Sequence, residues 1–273
     1  MISVFGGTGF IGSSFVKSYT EDCHIISRED RSPVSDDILY LISTTDNYNV
    51  FSNPMKDIDV NLKVLCEVLW KAKDNKNTVF NFISSWFVYG DCELPAKENS
   101  HCSPQGMYSI TKKCAEDIVK SFCIAHNIKY RIIRLCNVYG KGDLGASKKK
   151  NALQYLIGEL ADNKDINLYH GGDFLRDYLH VSDVCSAIKI IMDRADTNTT
   201  INVGSGEKYV FKNLITTAKH YLSSKAKVAS IEPTEFHKAV QVKDMYLDVS
   251  KLKELGFSPK VSIKKGLFDL CQT

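Results

Sequence analysis

The feature that most narrows what this chain can become is VFGGTGFIG, residues 4–12. An apolar run, ISVF at 2–5, leads directly into Gly6, Gly7, Gly9 and Gly12, and a helix-like pattern begins at Phe10. Glycine accepts the positive φ of a tight strand-to-helix turn and admits close backbone approach. In this setting Gly9 lets a pyrophosphate near the backbone, Gly12 allows the helix to pack on the strand, and the free N–H groups of the helix start attract the phosphates. The stretch predicts a dinucleotide site built from Gly6, Thr8, Gly9, Phe10, Ile11 and Gly12.

Strand-like and helix-like segments alternate from there. HIIS at 24–27, ILYLI at 38–42, TVFNFI at 78–83 and YRIIRL at 130–135 are separated by helical patterns near 58–72 and 108–125. That rhythm predicts an α/β fold, a Rossmann-type doubly wound parallel sheet with right-handed crossovers. After about Tyr139 come a helix near 151–161, a strand at INLY, another at RDYLHV and a helix to about Arg194. TINVGSG at 200–206 reads as a strand returning to the first sheet. The expected organisation is a dinucleotide-binding part over 1–138, with the returning strand near 200–204, and a smaller interleaved, mainly substrate-binding part over 139–273.

The net charge of +3 over 273 residues is small and scattered, so neither nucleic acid nor an anionic membrane is an implied partner. The run Lys148-Lys149-Lys150 reads as a solvated helix start. No apolar stretch approaches the roughly 20 residues of a membrane span, and a strand beginning at Ile2 leaves no room for a signal peptide, so a cytoplasmic location is expected. The nine cysteines are dispersed and lack metal-ligand spacing, which reads as reduced thiols and no metal site.

Tyr108-Ser109-Ile110-Thr111-Lys112 puts a phenol and an ammonium on one helix face. A tyrosine of ordinary pKa, about 10, is a poor acid–base group at neutral pH, and a nearby cation would lower it. The strand TVFNFI runs out into Ser84-Ser85 at the carboxyl edge, where open α/β sheets place their sites, and the Ser85 hydroxyl can bond the same substrate oxygen.

With GGTGFIG, SSWFVYG, YSITK, RLCNVYG, RDYLHVSDV and INVGSG in that order, nearly the whole chain resembles the extended short-chain dehydrogenases/reductases. Within them it resembles the nucleotide-sugar epimerase/dehydratase/reductase group. The resemblance implies Tyr108 as acid–base residue, Lys112 as the group that lowers its pKa and holds the nicotinamide ribose, and Ser85 as the residue orienting the reacting oxygen. It places Ser43 on the cofactor and Asn137 and Arg176 on the nucleotide diphosphate, and it implies a homodimer through helices near 58–72 and 108–125. For Arg176 an ion pair with Asp177 or Asp183 is the structural alternative, and His180 reads as structural.

Two departures carry information. Where the related 4,6-dehydratases hold an Asp-Glu pair, this chain has Trp86 and Phe87, which cannot supply acid and base and so exclude dehydration. They either pack beside the cofactor or floor the sugar pocket. Only about ten residues separate HIIS from ILYLI, so the sheet should be narrower on that side.

In HIISREDRS, Ile25 and Ile26 read as the last buried strand residues. Ser27 and Arg28 then emerge first, and an arginine suits the 2′-phosphate of NADP(H), although a longer strand would bring Glu29 or Asp30 to the tip and favour NAD(H). The expected activity is an NADPH-dependent reduction of a nucleotide-linked 4-keto-6-deoxyhexose, as in deoxysugar synthesis for surface polysaccharides. The alternatives are a nucleotide-sugar 4-epimerase with tightly bound NAD and, remotely, a non-catalytic dinucleotide-sensing regulator.

Overall fold

The computed structural model describes residues 1–143, 145–147 and 150–272. Its strands, in chain order, begin with β1 (Ile2–Phe5), β2 (Cys23–Ile26), β3 (Asp37–Tyr40), β4 (Val79–Ser85), β5 (Lys129–Leu135) and β6 (Asn137–Tyr139). They continue with β7 (Ile166–Tyr169), β8 (Leu175–Arg176), β9 (Tyr178–His180), β10 (Thr199–Val203), β11 (Tyr209–Val210) and β12 (Val228–Ile231). The main sheet runs β10-β5-β4-β3-β1-β2 and every pairing in it is parallel.

Alternation along the strands feeds two cores, because successive side chains point to opposite faces. Val4, Leu39, Ile133 and Val203 pack on one face with the helices Phe10–Ser18 and Val181–Arg194. Phe5, Ile38, Tyr40, Phe80 and Ile132 pack on the other with the helices Val64–Ala72 and Met107–His126. The sheet is thus wound on both faces, and TINVGSG returns as β10 beside β5.

The short connection after β2 has the expected effect. β3 pairs with β1 on the side away from β2, so β2 is left as the sheet edge. One expectation fails for the same reason: Ile26 is buried at 6% exposure, but Ile25 is 41% exposed, since an edge strand lacks the neighbouring element that would cover it. The helix near 58–72 begins earlier, at Met55, and carries a wider turn over Asp59–Lys63. RDYLHV is not one strand but two. It divides at Asp177, whose carboxylate accepts from Ser205 N at 2.9 Å and Ser205 Oγ at 2.7 Å, so that β8 pairs with β11 and β9 with β6. Lys148 and Lys149 lie outside the described residues, and the helix after them spans Ala152–Ala161.

One buried ion pair joins the helix Met107–His126 to the sheet. Glu116 accepts from Arg134 Nε at 2.9 Å and Nη2 at 2.7 Å, and from Ser84 Oγ at 2.6 Å. Both charged side chains are almost fully buried. Removing one member of such a pair strands the other charge, which costs about 3–5 kcal/mol, whereas replacing both by apolar groups is far less costly. Glu116→Ala should therefore lower the stability measured by urea unfolding by about that amount, and Glu116→Leu with Arg134→Met should restore most of it.

Candidate active site

The site forms where β4 ends and the helix Met107–His126 begins. Ser85 is the last residue of β4, and its Oγ accepts from Phe87 N at 3.3 Å, starting the turn Trp86–Val88. Gly106 precedes the helix, with Ser109 Oγ accepting from Gly106 N at 2.8 Å. This first turn delivers Tyr108, 8% exposed, and one turn later Lys112, 2% exposed. Lys112 Nζ donates to the Ile83 carbonyl at 2.6 Å and lies 4.2 Å from the centre of the Phe82 ring.

The electrostatics differ from the sequence expectation. Burial pushes the Tyr108 phenol up; hydrogen bonding with Ser85 opposes this, and the charge of Asp57 adds to it. Burial also pulls the Lys112 ammonium down to about 7, against the attraction of Glu116. Burial, Ser85 and Asp57 set the direction for Tyr108, not Lys112: desolvation disfavours both the phenolate and the ammonium.

The glycine turn fits a dinucleotide. Gly6 has φ +82°, and a Cβ on Gly12 would lie 2.2 Å from the Gly6 carbonyl oxygen, so the cradle excludes side chains. Gly9 N donates to Gly6 O at 3.1 Å and Gly9 opens the helix, leaving Thr8 and Gly9 exposed and Phe10 and Ile11 half-buried. At the tip of β2, Ser27 and Arg28 follow Ile26 directly and both are exposed. Asp30 N donates back to Ser27 O at 3.2 Å, Asp30 Oδ1 accepts from Ser32 N at 2.9 Å, and Arg31 is committed to Glu67 at 2.7 Å. Ser43 is half-buried and turned inward, its Oγ 2.6 Å from Thr44 O and 3.2 Å from Asn61 Oδ1.

Beside Tyr108 opens a pocket of about 400 Å³, lined by Trp86, Phe87, Asn137 and Arg176 among others. Trp86 stacks on Phe87 at 3.8 Å, and Phe87 meets Tyr108 edge-on at 5.8 Å. The aromatics thus wall the pocket next to the phenol. Asn137 Nδ2 donates to Asp177 O at 3.0 Å. Arg176 lies between Trp86, at 5.3 Å, and Phe174, at 4.7 Å, and donates to the carbonyls of Leu175, Val242 and Lys243.

Arg176 does not pair with Asp177 or Asp183. Asp177 holds the 205–206 backbone, and Asp183 accepts from Lys260 N and Val261 N. Burial pulls the guanidinium down to about 10, still far above neutrality. Among the described lining residues are Lys150, Arg176, Lys238 and Lys243 and no carboxylate, a setting for an anionic ligand.

His180 caps the helix Val181–Arg194 through Ser182. The sequence reading missed His237, whose ring packs at a tilt against Tyr169 with centroids 4.2 Å apart and lies 3.3 Å from Tyr48 Oη. Burial, then the charges of Arg176 and His170, pull it down to about 4, so it is neutral at pH 7. No spacing links positions 48, 169 and 237; the fold alone brings them together.

A glycine cradle at strand one, with a half-buried Ser and a buried Tyr and Lys at the carboxyl edge of a parallel sheet, defines an NAD(P)-dependent enzyme of the short-chain dehydrogenase/reductase class. The chain belongs to the NAD dependent epimerase/dehydratase family, whose model matches residues 36–204. It is 25% identical to a putative UDP-glucose 4-epimerase of Methanocaldococcus jannaschii, over 98% of this chain and 96% of that one. It is also 25% identical to a dTDP-4-dehydro-6-deoxyglucose reductase of Escherichia coli, over 68% of this chain and 58% of that one. The fold matches the crystal structure of Thermotoga maritima UDP-glucose 4-epimerase with UDP-glucose at a TM-score of 0.88, with 22% identity, covering 99% of this chain and 97% of that one. It matches RMD from Pseudomonas aeruginosa complexed with NADPH at 0.84, with 20% identity and the same coverage.

Tyr108→Phe should lower kcat by about 10²–10⁴-fold, the range of a lost general acid, while leaving the dissociation constant for NAD(P)(H) within a few-fold. Gly12→Ala should instead abolish cofactor binding in a fluorescence titration.

Proposed function

We propose that the protein is an NADPH-dependent reductase acting at C4 of a nucleotide-linked 4-keto-6-deoxyhexose. The observation that carries the cofactor choice is the end of β2 at Ile26, which leaves Ser27 and Arg28 as the first residues beyond the strand, both exposed. An arginine fork can pair with a dianionic 2′-phosphate, and Asp30, its carboxylate turned to Ser32, is displaced from the tip. The E. coli relative named as a reductase and the neighbour complexed with NADPH support this reading.

Gly6, Gly9 and Gly12 would hold the cofactor's pyrophosphate and Lys112 its nicotinamide ribose. Bound NADPH supplies hydride to the ketone carbon. Ser85 and Tyr108 orient the ketone oxygen, and the Tyr108 hydroxyl passes its proton to that oxygen as the alcohol forms, to be reprotonated from solvent afterwards. A phenol pushed up by burial carries that proton at neutral pH. Arg176 and Asn137 hold the diphosphate, and Trp86 and Phe87 face the sugar. Dehydration is excluded because neither ring can act as acid or base.

A nucleotide-sugar 4-epimerase with tightly bound NAD is the second reading, favoured by the epimerase relatives that align over nearly the full chain. Purified protein given NADPH and a panel of nucleotide-linked 4-keto sugars separates the two. Oxidation of NADPH supports the reductase, whereas co-purified NAD without net turnover would establish the epimerase instead.

On this reading residues 1–138 with β10 bind the cofactor, residues 139–273 mainly bind substrate, and the enzyme works in the cytoplasm. No helix among the described residues is long and apolar enough to cross a membrane. The helices at 55–72 and 107–126 leave Trp70, Ile110 and Ile124 at 59%, 47% and 72% exposure, which supports a homodimer through that face. Light scattering should give twice the 30.7 kDa chain mass; a monomer at working concentration would remove the dimer. Arg28→Ala should raise the KM for NADPH far more than that for NADH, and equal losses with both would remove the case for NADPH.

A further inference from the structure

Below Tyr108 lies a polar cluster that no sequence motif announced. Asp57 is fully buried, and its Oδ1 accepts from Thr44 Oγ1 and from Asn49 Nδ2 at 3.2 Å. Its Oδ2 has no hydrogen-bond partner. Asn61 Nδ2 donates to Thr44 Oγ1 at 2.8 Å and to Thr111 Oγ1 at 2.9 Å, and Asn61 Oδ1 accepts from Thr44 N at 2.8 Å. Thr111 Oγ1 lies 3.0 Å from the Tyr108 carbonyl and 2.9 Å from that of Met107. A continuous chain of polar contacts therefore runs from a buried carboxylate to the helix turn that aims the phenol.

A half-satisfied buried carboxylate is costly. Of Thr44, Asn61 and Thr111 only Thr44 gives it a hydrogen bond, and its second oxygen receives none, so its presence calls for a role beyond packing. We propose that Asp57 is a positioning residue for Tyr108, acting through Thr44, Asn61 and Thr111 on the first turn of its helix and through its own charge on the hydroxyl. The inference rests on Tyr108 being the proton donor of the proposed reduction.

The charge acts in the direction that reduction requires. A negative group near a phenol disfavours the phenolate, and Asp57 raises Tyr108 in this way. The other groups that bear on Tyr108 are few. Ser85, from β4, opposes the rise, and Lys112, on the same helix, is turned to the Ile83 carbonyl. Glu116, a turn further on, is matched by Arg134. Around Asp57 itself, the loop after β3 presents Thr44 and Asn49, which carry no charge, and Lys56 and Asp59 on its own segment face solvent. The rise favours a group that starts the cycle by giving a proton, as a ketone reductase requires, over one that starts by taking it.

The test follows Tyr108 by the ¹³C shift of its ring ζ carbon, assigned with Tyr108→Phe. In Asp57→Asn the titration midpoint should fall, and the alkaline limb of reductive kcat should move to lower pH with it while KM changes little. A midpoint unchanged from wild type overturns the proposal. Thr44→Val keeps the charge but cuts the chain. It should lower kcat about tenfold, within the roughly hundredfold that a 1 Å misplacement can cost, and leave the midpoint in place. If Asp57→Asn does not fold, this variant decides: an unchanged kcat overturns the positioning role. The titration needs no substrate, so a shifted midpoint in a protein that reduces no keto sugar would sink the reaction and keep Asp57, and an unshifted midpoint in an active reductase would do the reverse.

Discussion

The site depends on the Glu116 carboxylate more than on any other group. It accepts two bonds from Arg134 on β5 and one from Ser84 on β4, so a single side chain of the helix Met107–His126 is tied to two adjacent strands. Ser84 precedes Ser85, and Glu116 lies one turn beyond Lys112 and two beyond Tyr108. The tie therefore fixes the distance between the serine on the strand and the tyrosine on the helix. A buried ion pair is weak evidence for net stability, since desolvation offsets most of its attraction, but it is demanding about geometry. The tie extends outward: Arg134 also lies 4.7 Å from the centre of the Tyr89 ring, and Tyr89 Oη donates to Asn202 on β10 at 2.6 Å. The returning strand is thus coupled to the catalytic helix by the same guanidinium.

Burial then sets the chemistry. The same desolvation that pushes Tyr108 up pulls Lys112 down to about 7, so it disfavours the charged form of both. Arg176 is different, because a guanidinium pulled down to about 10 still keeps its charge at neutral pH. Its hydrogen bonds go to backbone carbonyls, which orient the fork without neutralising it. No carboxylate hydrogen-bonds it among the described residues, although the charge of Asp244 attracts it, so the fork remains suited to an anionic ligand. Burial thus leaves Arg176 its charge while it weakens that of Lys112 and disfavours a Tyr108 phenolate.

Much of this was legible in the sequence, and the reasons are local. ISVF, TVFNFI and YRIIRL are apolar because both sheet faces are covered, and their alternation with helical patterns leaves little choice of topology. The ten residues after HIIS are too few for another strand and crossover, which is why the narrowed sheet could be foreseen. What escaped depends on tertiary neighbours. Ile25 looks buried by type but lies on an uncovered edge. RDYLHV has strand composition throughout, yet the bonds from Asp177 to Ser205 turn the chain between two sheets. Asp57, Tyr48 and His237 belong to no periodic pattern, and chains that place them differently could share every motif of this one.

That last point explains why the motifs name a family more readily than a reaction. Several of them hold the fold together. A Cβ on Gly90 of SSWFVYG would lie 1.8 Å from the Ser103 carbonyl oxygen, and one on Gly204 of INVGSG would lie 2.3 Å from Asp177 Oδ2, so both positions are set by close packing. Asp183 of RDYLHVSDV fastens the 260–261 backbone, and His180 caps a helix. Such residues serve the architecture of this chain and say nothing of what it binds. The residues that set this chain apart lie between the motifs or at departures within them: Arg28 at a strand tip, Trp86 and Phe87 after the serine of SSWFVYG, Asp57 beneath the tyrosine, and the 231–243 segment along the pocket. Each acts through exposure, shape or charge at one place, and none needs a fixed spacing to a partner. Their chemistry becomes readable only once the sheet has put them around a single phenol.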